Sequence, residues 1–243
     1  MSARVGVVIF PGSNCERDAA EALAGLGGSV EMLWHADASV KGCDAVVVPG
    51  GFAHGDYLRP GAIARFSPVM AAVTALADAG GPVLGICNGF QILTEAGLLP
   101  GALQKNFRLK FLCTTVEVSV ESIASPVTSR ARPGEILRLP INHFEGNYIC
   151  DEQTLEQLRA EDRILLRYVD NPNGSTDDIA GICSTARNVV GLMPHPERAC
   201  DQMLGSDDGR LLLTSFLDFA SGGRQPAERE IPALLSTDAG TPS

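Results

Sequence analysis

The chain of 243 residues has only three lysines, Lys41, Lys105 and Lys110, and none follows the G-x-x-x-x-G of a phosphate-binding loop. No dinucleotide fingerprint is present either. Any nucleotide chemistry linked to this protein is therefore expected on another chain. Positive charge is scarce overall: 19 Lys+Arg face 29 Asp+Glu, a net charge of −10. That balance repels a phosphate backbone and excludes a general nucleic-acid binder, although a local field can still hold a small anion. No apolar run approaches the ~20 residues that cross a bilayer. Met1-Ser2-Ala3-Arg4 opens no signal-peptide core, so a cytoplasmic location is expected. There is no C-x-x-C. The seven cysteines, at 15, 43, 87, 113, 150, 183 and 200, are odd in number and scattered. They suit reduced thiols better than a disulfide framework or a zinc site. Internal repeats and a Ser/Gly linker are also missing. A single domain over 1–223 is expected, with 224–243 a loosely ordered tail in which 231–235 forms a docking stub.

What is present is an ordinary globular balance, 45% apolar and 20% charged, with enough length for a sizeable core. The first half alternates strand and helix. Val5–Phe10, Val30–Trp34, Ala45–Val48 and Val83–Ile86 read as strands, the first and last two as continuous apolar runs. Between them, Ala19, Ala22, Leu23 and Leu26 recur at helical spacing, with Ser13 and Glu16 as a capping box. A long helix after Pro60 would align Ile63, Phe66, Val69, Met70, Val73, Leu76 and Ala77, and a short one would follow Ile86 to about Ala96. The second half predicts strands at Phe111–Val120, Glu135–Leu139, Ile164–Tyr168, Ile179–Cys183 and Asn188–Leu192. Its predicted helices are Asp151–Leu158 and Gly209–Ala220. Right-handed crossovers make this an α/β protein, a largely parallel open sheet with helices on both faces and added antiparallel strands in the second half.

Gly85-Ile86-Cys87-Asn88-Gly89 carries the sharpest chemistry. A strand runs straight into a helix with glycines two before and two after a nucleophile, the elbow pattern with Cys in place of Ser. Cys87 would stand at a helix N-terminus, which favours a thiolate, and the Asn88 N–H would point to the same place as an oxyanion donor. The bland alternative is a buried structural cysteine beside a tight turn. The thiolate needs a base. His195 lies in Met193-Pro194-His195-Pro196-Glu197, where the prolines impose an extended chain and set Glu197 on the side of His195. That arrangement completes a Cys–His–acid triad. His143 and Glu145 have the same spacing, so spacing alone does not choose between the pairs; the proline clamp favours His195. His35 and His54 read as ordinary residues. Gly51, in Pro49-Gly50-Gly51-Phe52, is the candidate for the second oxyanion donor, against the commoner fate of a plain turn.

The elbow extended to Gln91, with Pro49-Gly50-Gly51 and Pro194-His195-Pro196-Glu197, resembles the class I (triad) glutamine amidotransferases. Four longer stretches narrow the likeness to separate glutaminase subunits of an ATP-dependent synthase of purine biosynthesis. They are Pro11–Cys15, Pro49–Arg59, Cys87–Gly101 and Met193–Arg198, and the likeness spans about 4–220. The resemblance implies a flavodoxin-like sheet and a glutaminase. In it Cys87 attacks the side-chain amide, His195 moves the proton, Glu197 orients His195, and Gly51 and Asn88 hold the oxyanion. Gln91 and His143 match substrate-contacting positions, although Phe144 stands where relatives often carry Gly. No cofactor or metal is implied on this chain. ATP and magnesium are implied on a large synthase subunit, joined through a small bridging subunit. Two other classes stay open. One is a related Cys-elbow hydrolase, disfavoured because Asn88 rather than His follows Cys87. The other is a non-catalytic scaffold, disfavoured by the complete Cys87, His195 and Glu197 set.

Overall fold

The computed structural model describes residues 2–222. The expected tail at 224–243 and its stub lie outside the described residues. Among the described residues eleven strands and five α-helices follow one another: β1 (Arg4–Ile9), α1 (Glu16–Gly25), β2 (Ser29–Trp34), β3 (Ala45–Val48), α2 (Pro68–Asp78), β4 (Val83–Ile86), α3 (Asn88–Glu95), β5 (Ala102–Gln104), β6 (Leu112–Val120), β7 (Ile136–His143), β8 (Asn147–Ile149), α4 (Glu152–Ala160), β9 (Ile164–Tyr168), β10 (Ile179–Cys183), β11 (Val189–Leu192) and α5 (Gly209–Ala220). Nine strands make one sheet in the order β2-β1-β3-β4-β11-β10-β9-β6-β7, and β5 pairs with β8 in a separate ribbon.

The sheet has two characters. From β2 to β11 neighbours are parallel; from β11 to β7 they are antiparallel. This is the mixed α/β sheet expected. Val5, Val7 and Val8 of β1 and all of β3 and β4 are buried, as strands covered on both faces must be. Each such valine contributes about 1.5–3 kcal/mol relative to exposure.

Several local expectations fail for physical reasons. Ser13 does not cap α1; Cys15 holds the N-cap position, and Ser13 Oγ instead accepts from the Phe10 N–H at 3.0 Å. The long helix after Pro60 is broken. A 3₁₀ turn covers Ala64–Phe66, and Pro68 holds Ser67 extended before α2 begins. Phe66 and Ile63 are accordingly exposed rather than part of a core stripe. β7 runs through Pro140 to His143, beyond the predicted Leu139. Among the described residues it is an edge strand paired only with β6, where a residue without an N–H costs little.

At α4 the sequence caps itself. Asp151 is extended and its carboxylate accepts from the Thr154 N–H at 2.7 Å. Asp151→Ala is expected to cost about 1 kcal/mol in urea denaturation with no effect on activity. An unchanged midpoint would show that the cap contributes nothing.

Candidate active site

Parallel strands deliver their functional residues at their C-terminal ends, where open α/β sheets place their sites. β4 ends at Ile86 and α3 starts at Asn88, so Cys87 alone makes the turn, at φ 51 and ψ −105. That is a costly conformation for a residue with a Cβ, of order 1–3 kcal/mol. The surroundings enforce it. The Cys87 N–H donates to the Leu192 carbonyl at 2.7 Å, and the Cys87 carbonyl accepts from the Gln91 N–H at 3.2 Å. The two flanking glycines leave no room for alternatives: a Cβ at Gly85 would lie 2.7 Å from the Gly89 carbonyl carbon, and one at Gly89 would overlap the Val48 carbonyl oxygen. Cys87 is the N-cap residue of α3, whose first N–H groups lack intrahelical partners. Its sulfur lies 3.8 Å from the Asn142 carbonyl at the end of β7.

β11 pairs directly with β4, Gly191 opposite Gly85 and Leu192 opposite Ile86. Three residues beyond this ladder sits His195, whose N–H donates to the Pro140 carbonyl at 2.8 Å. His195 Nδ1 lies 2.6 Å from Glu197 Oε1, and both side chains are almost wholly buried. The expected extended chain is not how they meet: Pro196–Arg198 is a 3₁₀ turn with His195 at its N-cap, which brings residues two apart together. Burial opposes a charge on His195. The Glu197 carboxylate, then Cys87, outweigh it and hold the ring well above the usual imidazole range. His195 Nε2, the other ring nitrogen, has no hydrogen-bond partner among the described residues.

The rival pair does not form in this way. His143 Nδ1 lies 3.1 Å from Asn106 Oδ1, which also accepts from the Gly146 N–H at 3.0 Å. The Asn106 amide nitrogen donates to the carbonyls of Lys110 and His143. Asn106 can therefore only accept from the ring, so Nδ1 carries the His143 proton. Burial, then the neighbouring His195, pushes His143 down to about 4, a neutral ring at pH 7. Asn106 was invisible to motif reading, since its partners come together only through the fold.

The remaining predicted residues form the walls. Gly51 has φ 142, and a Cβ there would lie 2.8 Å from the Asn14 backbone nitrogen, so the loops after β1 and β3 press together. Asn88 is buried, and its side chain makes three hydrogen bonds, two of which tie α3 to the loop after β3. Its Oδ1 accepts from the Ala53 N–H at 3.0 Å; its Nδ2 donates to Asp56 Oδ1 at 3.0 Å and to Gln91 Oε1 at 2.8 Å. The Gln91 amide nitrogen in turn donates to the Glu145 carbonyl. Burial raises Asp56 to about 6 against the Asn88 hydrogen bond, with Glu145 adding to the rise. His35 and His54, expected to be ordinary, both reach Ser67 Oγ, at 3.4 and 3.3 Å.

Fold and site together define a class, the glutamine amidotransferases: residues 2–209 match the CobB/CobQ-like glutamine amidotransferase domain. Among curated proteins, phosphoribosylformylglycinamidine synthase subunit PurQ of Rubrobacter xylanophilus is 60% identical over 214 residues, 88% of this chain and 97% of that one. PurQ of Mycobacterium tuberculosis is 57% identical over 219 residues, 90% and 98% of the two chains. A chain of the structure of PurLQS from Thermotoga maritima superposes with a TM-score of 0.83 at 41% identity, covering 90% of this chain and 99% of that chain. The chain belongs to the PurQ family, the glutaminase subunits of phosphoribosylformylglycinamidine synthase. The glutaminase domain of Trypanosoma brucei CTPS, at 15% identity and a TM-score of 0.60, shares the fold.

Proposed function

We propose that this chain, as one amidotransferase domain over 1–223, hydrolyses glutamine at Cys87 and hands the ammonia to an ATP-dependent synthase subunit. The observation that carries the assignment of residues is the strained Cys87 at a helix N-terminus beside a buried His195–Glu197 pair. His195 Nε2 takes the thiol proton, and Cys87 Sγ attacks the side-chain carbonyl carbon. The N–H groups of Gly51 and Asn88 hold the negative oxygen that develops. His195 returns the proton to the departing nitrogen, the C–N bond breaks, and a glutamyl thioester and ammonia remain. Water, activated by the same imidazole, releases glutamate. Glu197 holds the ring in orientation and steadies its charged form. Gln91 and His143 belong to the substrate-binding wall, with His143 offering a neutral acceptor at Nε2.

Ammonia freed into water would be protonated and lose its nucleophilicity, which is the reason for direct transfer. The PurLQS relative supports an assembly with a large synthase subunit, holding ATP, magnesium and formylglycinamide ribonucleotide, and a small bridging subunit. Among the described residues no helix is long and apolar enough to cross a membrane. Purine biosynthesis supports a cytoplasmic site of action.

The test is covalent labelling with a halomethyl-ketone analogue of glutamine, followed by peptide mapping, with the synthase present. An adduct on Cys87 that glutamine protects is expected. An adduct on Cys15 instead, or none in the assembled complex, defeats the assignment.

A further inference from the structure

A second thiol lies against the His195–Glu197 pair, and the hydrolysis does not use it. Cys15 is buried at 3% exposure, on the loop after β1. One ligating atom from each of Cys15, His195 and Glu197 lies within 4.8 Å of the other two, all three residues being buried. One further observation sets this cluster apart from a chance neighbour. The packing is tight: a Cβ at Gly50 would sit 2.7 Å from His195 Cε1, 3.1 Å from Cys15 Sγ and 3.4 Å from His195 Nδ1, so only a glycine lets the loop after β3 lie against both the sulfur and the ring. Among the described residues Glu197 Oε2 is buried without any hydrogen-bond partner, a carboxylate oxygen with a lone pair to give.

We propose that Cys15 Sγ, His195 Nδ1 and a Glu197 carboxylate oxygen form an inhibitory site for a zinc ion. A thiolate, an imidazole and a carboxylate are the donor set zinc takes, and three protein ligands with an open fourth position are common. Zinc–ligand distances of about 2.0–2.3 Å put tetrahedral ligand atoms about 3.3–3.5 Å apart. To reach this, the 2.6 Å contact between Nδ1 and Oε1 must open and the wider separations, up to 4.8 Å, must close. Arg198 Nη2, 3.1 Å from Cys15 Sγ and anchored to Asp18 through Nε, stays as a donor to the bound thiolate.

The proton balance explains the inhibition. Counted with the Cys87 thiol still protonated, binding sends the Cys15 proton to solvent and shifts the single His195 ring proton from Nδ1 to Nε2. Nε2–H cannot accept the proton of Cys87, and Glu197 is withdrawn to the metal. The inhibitory consequence rests on the base role proposed for His195; zinc binding itself does not.

The experiment separates the two. Cys87→Ala removes the other candidate thiol and is dialysed against zinc alone. It is expected to hold one zinc per chain, and cobalt in its place to give the intense visible bands of a tetrahedral sulfur site. Adding Cys15→Ala is expected to weaken zinc binding by at least ~10-fold. In the synthase complex, Cys15→Ala with Cys87 intact is expected to use glutamine at the parental rate but to need at least ~10-fold more zinc for half inhibition. Cys15→Ser serves the same purpose should the alanine variant fold poorly. No zinc on Cys87→Ala, or equal affinity with and without Cys15, overturns the site. Zinc bound at Cys15 without inhibition keeps the site and removes the base role of His195.

Discussion

Cys87→Ala, assembled with its synthase, is expected to lose glutamine-dependent synthesis by on the order of 10⁵-fold or more, while synthesis from added ammonia stays within about twofold of the parent. The two halves of the outcome come from different atoms. In the proposed reaction the sulfur is the group that bonds to carbon, and a methyl group cannot replace it. The backbone of residue 87 does the structural work, through the Leu192 carbonyl and the Gln91 N–H, and alanine keeps both. Loss of ammonia-dependent synthesis as well would mean that the side chain holds the complex together. The strain at Cys87 adds a second readout. Alanine inherits φ 51 with its cost, whereas glycine does not. Cys87→Gly is therefore expected to be as inactive as the alanine variant but about 1 kcal/mol more stable than it. A glycine variant no more stable than the alanine one would show that the turn stores no strain.

Gly89→Ala is expected to be the most damaging single-methyl change in the protein. The added carbon overlaps the Val48 carbonyl oxygen and lies 2.7 Å from its carbonyl carbon, backbone against backbone, where neither strand nor helix can turn aside. α3 must move away from β3, and Asn88 and Cys87 move with it. A loss of about 3 kcal/mol or more is expected, with thermal unfolding about 6–12 °C lower and little glutaminase left. Gly25→Ala is the control. It lies in the last turn of α1 with nothing within 4 Å of the new carbon, and no left-handed φ. It is expected to be neutral or stabilising by up to about 1 kcal/mol. Equal damage at the two positions would refute the packing explanation.

The strands with the strongest one-dimensional pattern were legible to the residue. Ala45–Val48, Val83–Ile86, Ile164–Tyr168 and Ile179–Cys183 fall at the predicted positions, as does helix Gly209–Ala220. The strands are short, mostly apolar runs, and Pro49-Gly50 after Val48 and Pro82 before Val83 mark an end of two of them. Cys87 and His195 were legible as candidates for a similar reason, each being framed by residues that dictate backbone shape. What escaped depends on distant partners. β5 and β8 are three residues each and exist only as each other's complement. Pro140 masks the continuation of β7, because only sheet order reveals that the strand is at an edge. Asn106, Asp56 and Cys15 have no framing motif. Asn106 acquires its place from His143, Asp56 from Asn88, and Cys15 from Arg198 and His195. Two of those three, Cys15 and Asp56, lie in stretches that carried the family likeness, which was the available signal.

The insertion of β11 between β4 and β10 has a consequence for how the molecule comes into being. β4 finds its outer neighbour only after some hundred further residues have been made, and Cys87 gains its backbone anchor at Leu192 only then. Contacts so remote in sequence form late, because the loop must close before they reward it. A nascent or truncated chain that ends before Val189 carries the thiol without the proposed base, His195, and without the partner that shapes the elbow. Glutamine is thus expected to be safe from any copy that ends before Val189, and ammonia release to begin only once the sheet is complete.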